Sequence, residues 1–476
     1  MLRRNFLLSL AARPDTAETT AGRVQGRAAN GITVFRGITY AKQTRFVPPQ
    51  PAEKWTGIKD CSATGPRCVQ GPGNIFLSPT IGEYFRGSKD RVELAAQPDS
   101  EDCLVLNVLT PSTRGRRPVM VYIHGGGFSA GSSHLTVFAD RFPREQDVVL
   151  VGVNHRINVF GYLHVNPETS NIGQLDLVAA LEWVRDNIAN FGGDPGNVTI
   201  FGESGGAAKI STLLFMPSAR GLFRRAILES GSILKVQTQE EAAAGTRKLL
   251  ASASLTMPAP DLLKAVIASG LRFEPAVDGR SLPSQLWQSK PPIDVPLIIG
   301  CCKDETSLFT LKDEALYSLD DPGLRSRMSA NLIAAYRAAH PKDTPSDIWF
   351  RYATDRERRA DGNRQAERYL AHGHSPVYMY HFVWNTPLVK GKIRAFHTAE
   401  LPLAMRLVRF PESDLVSQAL ATAWAGFARN SDPKWPAFTL DKRATKIFDS
   451  PNSTVVNDPD REARLLIAAE NEKGAR

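Results

Sequence analysis

Ser204 lies between glycines, in Gly202-Glu203-Ser204-Gly205-Gly206, after the apolar run of residues 197–202 and before a helix-compatible stretch ending near Met216. This is G-x-S-x-G at a strand-to-helix junction, where such a serine is held on a sharp, strained turn with its hydroxyl exposed. Side chains at 202 and 206 would block so tight a turn. A serine that attacks a carbonyl also needs donors for the oxygen that becomes charged. HGGGF, residues 124–128, supplies them directly after a second apolar run, residues 118–123. Its glycines let backbone N–H groups come close to a charge that develops only in the tetrahedral intermediate. The donors are assigned to the N–H groups of Gly126, Gly127 and Gly205. The rival reading, a phosphate loop, needs G-x-G-x-x-G or a Walker lysine pattern, and neither is present.

The serine needs a base at the same sheet end, and nine histidines are available. His372 and His374 precede the run 376–384 and belong to its far end, while His381 lies inside it. His397 follows that run, so it returns to the carboxyl end, with Ser204. The acid should end another strand, between these two in sequence. The run 295–300 leads into Cys301-Cys302-Lys303-Asp304-Glu305-Thr306, which offers Asp304 and Glu305. Spacing alone does not choose between them. The one left over would be a surface or loop-capping group. The order nucleophile, acid, base is that of α/β hydrolases, not of chymotrypsin or subtilisin.

These groups need a sheet to hold them. Seven apolar runs (118–123, 147–153, 197–202, 224–230, 295–300, 376–384 and 445–450) alternate with helical patterns, as strands covered by helices on both faces do. Leu177, Leu181, Val184, Ile188 and Phe191 form one helical stripe, which Gly192 and Gly193 end through positive φ. Val416, Leu420, Trp424 and Phe427 form another. Residues 235–290 and 305–372 are irregular and helical, and would lie over the strand ends to shape a substrate gorge. The expected fold is α/β: a mostly parallel central sheet flanked by helices, as one domain over residues 18–476.

Composition narrows the remaining choices. With 476 residues, 42% hydrophobic and 22% charged, the chain has ordinary globular composition and can bury a large core. Its net charge of +9 is spread out, with short clusters such as Arg220, Arg224 and Arg225, which reads as a solvated surface rather than a nucleic-acid site. Five cysteines (Cys61, Cys68, Cys103, Cys301 and Cys302) lack paired zinc-site spacing, so no metal is expected. No apolar run reaches the roughly 18 to 20 residues that span a bilayer. Residues 1–17 open with a twin arginine and a short apolar stretch, the outline of an export leader and equally of a frayed N-terminus. Localisation is therefore left between periplasm or medium, if the leader works, and cytoplasm.

With these residues in view, the chain resembles the type-B carboxylesterases, the family of cholinesterases and bacterial para-nitrobenzyl esterases. The likeness runs from about residue 18 to 464, through FRGITYA, SEDCLVLNV, HGGGFSAGS, FGGDPGNVTIFGESGGA, GLFRRAILESGS, KDETSLF, AFHTAELP and WAGFARNSDPKWPAF. It implies an α/β-hydrolase fold, a small-molecule ester substrate and no cofactor. It also implies that the acid is the second carboxylate of its loop, giving a triad of Ser204, Glu305 and His397. Glu203 matches a buried glutamate that tunes the site electrostatically. Cys68 and Cys103 match cysteines that close a loop by a disulfide; a reduced, buried pair is the alternative. Two departures stand out: Gly205 where cholinesterases commonly have alanine, and Asp304-Glu305-Thr306 where the third residue is usually glycine. Between Cys68 and Cys103 lie Phe76, Tyr84 and Phe85 but no tryptophan, which disfavours choline esters. The same mechanism on carbamates, amides or lactones, and a non-catalytic binding protein of this fold, are the competing readings.

Overall fold

The computed structural model describes residues 14–71, 81–82, 84, 97–288 and 290–474. Its frame is one large sheet. The strands that matter are β1 Pro14–Glu18, β2 Arg23–Ala29, β3 Ile32–Thr39, β4 Val105–Thr110, β5 Arg117–Ile123, β6 Val149–Val153, β7 Gly193–Glu203, β8 Arg225–Glu229, β9 Leu297–Cys302, β10 Val377–Phe382, β11 Ala444–Phe448 and β12 Thr454–Asn457. They lie in the order β1-β2-β3-β4-β6-β5-β7-β8-β9-β10-β11-β12, with Ile58–Asp60 beside β2. From β6 through β11 all neighbours are parallel. The sheet turns antiparallel at both ends, from β1 to β6 and at β12.

All seven runs anticipated as strands are strands, and the expected mostly parallel α/β-hydrolase sheet is present. The antiparallel N-terminal third was not anticipated. β1 also begins inside the segment read as a leader, while residues 1–13 of that segment lie outside the described residues.

Side chains alternate between two apolar layers, as the period of a strand requires. Val119, Val121 and Ile123 of β5 join Val149, Val151 and Ile200 on one face. Met120 and Tyr122 join Leu150 and Phe201 on the other. Helices α1 Ile172–Asn187 and α2 Gly205–Leu213 cover the first face through Leu177, Leu181, Ala207 and Ile210. The insertions are helical as expected: α3 Gln239–Leu250 and α4 Ala259–Ser269, then α5 Ala330–Ala339, α6 Pro345–Thr354 and α7 Ala360–His372. Helix α8 Asp414–Asn430 covers the second face with Val416, Leu420, Trp424 and Phe427, all fully buried. The C-terminal α9, Arg461–Gly474, packs on α5 and α6 in a small third cluster. The stripe after α1 finishes in a 3-10 turn, Ile188–Phe191, capped by Gly192 at φ 78°. Gly193 differs from expectation: it starts β7 and carries no positive φ.

Candidate active site

β5 and β7 are adjacent and parallel, with Ile123 opposite Gly202, so the segments just beyond them emerge side by side. Ser204 is the first residue past β7 and sits at φ 54°, ψ −121° before α2. A non-glycine residue held there stores strain of the kind that clusters at functional sites. Close packing explains the glycines: a Cβ on Gly202 would lie 2.6 Å from the Ile123 carbonyl oxygen and 3.1 Å from Gly206 Cα. Ser204 N–H donates to the Glu229 carbonyl at 2.8 Å, tying the elbow to β8. The serine is partly exposed while both its neighbours are buried.

Gly126 and Gly127 lie beyond β5 at φ 87° and 62°, exposed at the surface of the elbow. Gly205 faces Gly127 so closely that a Cβ on residue 205 would stand 2.6 Å from the carbonyl carbon and Cα of Gly127. That packing gives a physical reason for the departure at position 205. The N–H groups assigned as donors thus come from two backbone segments in contact.

Asp304 and Glu305 both sit beyond β9, and the structure separates them. Asp304 is fully buried and caps the chain: its N–H donates to Ala395 O at 2.9 Å, and its Oδ2 accepts from Ala395 N at 3.2 Å. Glu305 Oε2 instead bonds His397 Nδ1. Its other oxygen accepts from Cys302 N–H at 2.7 Å and Ser230 Oγ–H at 2.6 Å. Its own N–H donates to Thr354 Oγ1 at 2.9 Å, anchoring the loop to α6. Burial alone would raise this carboxyl. The charge and hydrogen bond of His397, with the Ser230 bond, outweigh burial and hold it below the usual glutamate value. Glu305 is therefore an anion that fixes the ring.

With Nδ1 so engaged, Nε2 of His397 points toward the elbow and lies 3.2 Å from Glu203 Oε1. That approach is within ion-pair distance but not aligned as a hydrogen bond, since Glu203 Oε1 has no bonded donor. No hydrogen bond joins Ser204 Oγ to His397 among the described residues, and such bonds are commonly long until substrate binds. Glu203 is fully buried, and burial, then the charges of Glu400, Glu305 and Glu229, push its carboxyl well above the ordinary range.

Sequence reasoning missed a set of buried acids behind Glu305 and His397. Ser230 Oγ sits between Glu305 Oε1 and Glu400 Oε1, 3.0 Å from the latter, and Glu400 also accepts from Tyr380 Oη at 3.1 Å and the Cys302 thiol at 2.7 Å. Glu229 accepts from Trp424 Nε1 at 2.7 Å, and burial pushes it up to about 8. Glu400 is raised too, by burial and then by Glu305. So the His397 contact holds Glu305 below the ordinary glutamate value while burial raises Glu229 and Glu400. Cys302 belongs to this network, and Cys301 packs beside His381. Tyr84 is buried, and its hydroxyl donates to Ala399 O at 2.7 Å, bracing the His397 loop. Phe76 and Phe85 lie outside the described residues. The Phe309 ring, 63% exposed, stands 5.2 Å from the His397 ring as an apolar wall.

The disulfide suggested for Cys68 and Cys103 is not formed: all five cysteines are free and buried. Burial, followed by the adjacent Cys68, pushes the Cys103 thiol up, so Cys103 is not poised to react. No cluster of three or more metal-ligating side chains, and no helix long and apolar enough to cross a membrane, occurs among the described residues.

The profile of the carboxylesterase family matches residues 13–462. The para-nitrobenzyl esterase of Bacillus subtilis (strain 168) is 35% identical, over 94% of this chain and 97% of its own. A phenmedipham hydrolase of Pseudarthrobacter oxydans is 32% identical, over 93% and 96%. Among solved structures, a carboxylesterase of Geobacillus stearothermophilus superposes with a TM-score of 0.77 at 34% identity, covering 94% of this chain and 99% of that one. The serine elbow, the glycine loop beside it and these likenesses over almost the whole length lead to one conclusion: the chain belongs to the carboxylesterase family, as a serine carboxylesterase on the α/β-hydrolase fold.

Proposed function

We propose that Ser204, His397 and Glu305 form a catalytic triad that hydrolyses small carboxylic esters through an acyl-enzyme. The observation that supports this reading is the Glu305–His397 bond, which engages Nδ1 and leaves Nε2 free beside Glu203, the residue before the strained serine. As Ser204 Oγ bonds to the ester carbonyl carbon, its proton passes to His397 Nε2. The carbonyl oxygen becomes an oxyanion facing the N–H groups of Gly126, Gly127 and Gly205. The alcohol leaves with the proton from Nε2. Water then gives a proton to Nε2 and its oxygen to the acyl carbon, and Ser204 departs with that proton. Glu305 stabilises the imidazolium throughout without taking its proton. Burial holds the Glu203 carboxyl beside Nε2 well above the ordinary range, which disfavours a competing anion there.

Ser204→Ala should abolish turnover of p-nitrophenyl acetate and labelling by a fluorophosphonate, with an unchanged melting temperature. Retained turnover would remove the serine from its role, and an unlabelled wild-type chain would favour a binding protein. A second reading, the same chemistry on other acyl compounds, draws on the likeness to a phenmedipham hydrolase. A panel that varies acyl length and alcohol size, and includes phenmedipham, separates the two.

A further inference from the structure

Helix α2 carries an amine that the triad does not use. Lys209 is fully buried, and its Nζ donates to the carbonyl oxygen of His124 at 2.9 Å. Side chains on a helix lean toward its N-terminus, so this stem reaches back beneath the serine elbow to the loop that follows β5. No carboxylate lies within ion-pair distance of Nζ among the described residues; the Phe128 ring stands 5.8 Å away, and the buried His124 and His155 rings feel its charge. Burial lowers the amine to about 7.

The bonded carbonyl is the first of three in succession. His124 Nδ1, 3.0 Å from Gly125 O, donates to it, and Gly126 O accepts from Ala130 N–H at 3.1 Å. A peptide unit is planar, so holding the carbonyl of one residue orients the N–H of the next. The Gly125 carbonyl therefore aims the Gly126 N–H, and the Gly126 carbonyl aims the Gly127 N–H. Lys209 secures the unit before these two. The His124 ring that holds the second unit is itself fixed: it stacks on His155 at 4.6 Å, and burial followed by Lys209 keeps it neutral, down to about 3.

We propose that Lys209 is a positioning residue, which locks the His124–Gly127 loop to the helix bearing Ser204 and so aims the loop's N–H groups at the substrate oxygen. The inference rests on the esterase reading above. An amine desolvated for a single acceptor is a poor contributor to stability. Its burial beneath the loop fits a residue that serves the site rather than the fold.

Lys209→Met keeps the stem and deletes the amine, whereas Lys209→Gln keeps an N–H donor without charge. The readouts are kcat and KM for p-nitrophenyl acetate, inhibition by an aryl trifluoromethyl ketone that forms an oxyanion on the serine, and the melting temperature. Lys209→Met should melt at or above wild type and keep KM within about threefold. Its kcat should fall by about 10- to 100-fold, the ketone should weaken by the same factor, and Lys209→Gln should recover part of both. An unchanged kcat, a loss shared equally by KM, or a chain that melts lower or fails to fold overturns the proposal. Wild-type turnover and its loss in Ser204→Ala test the esterase reading separately, so failure of Lys209→Met to lower kcat would sink only the positioning role.

Discussion

Gly205→Ala adds one methyl group where the two backbone arms of the site touch. The new Cβ would lie 2.6 Å from two backbone atoms of Gly127, about 0.8 Å short of the 3.4 Å at which ordinary contact begins, and closer still to the carbonyl oxygen. The strand-to-helix turn at 205 is packed and cannot yield, whereas Gly126 and Gly127 are exposed, so the loop retreats. A retreat approaching 1 Å moves two of the three donors from the oxyanion and should cost roughly 10²-fold in kcat, or ~2.7 kcal/mol of transition-state stabilisation. Overpacking of this kind destabilises by about 1–3 kcal/mol, and a loop free to move outward falls at the low end. The assay is steady-state hydrolysis of p-nitrophenyl acetate beside a thermal melt. A variant that keeps kcat within about threefold would show that the loop absorbs the methyl without moving its donors, and that close approach does not require glycine at 205.

Two further outcomes follow from the buried groups. Glu229 is raised from 4.5 to about 8, so between those values the unfolded chain has released a proton that the folded one keeps, and stability from this group falls as pH rises through the window, by up to ~1.4 kcal/mol per unit. Glu229→Gln, which still accepts the Trp424 N–H, should flatten the decline of melting temperature between pH 6 and 8; an identical pH profile would refute the assignment. Thiol titration of the unfolded, unreduced chain should count five free cysteines, and a count of three would mean that a disulfide forms in the purified protein.

The chemistry-bearing segments were legible because each breaks a strong pattern. Ser204 interrupts an apolar run with glycines, and His397 is singled out by which end of a strand it follows. Asp304 and Glu305 were not separable by placement, since adjacent residues share it; the family resemblance pointed to Glu305, and the Ala395 cap on one and the His397 bond on the other divide them physically. Lys209, Glu229 and Glu400 were overlooked for a different reason. Charged side chains are normally solvated, and no local spacing says which of them is enclosed. Gly193 illustrates a third limit: paired with Gly192, it read as a helix stop, but it lies opposite Arg117 at the start of β7, and that pairing is set by a distant part of the chain.

Ile123 and Gly202 share one rung of the sheet. On the proposed mechanism, nucleophile and polarising amides grow from neighbouring rungs of the parallel sheet, whereas the helical insertions between later strands would supply the walls facing a substrate. Warming or mutation that loosens those excursions should blur which esters are chosen well before it slows the bond-breaking itself. Selectivity and catalytic power would then fail at different temperatures in the same polypeptide.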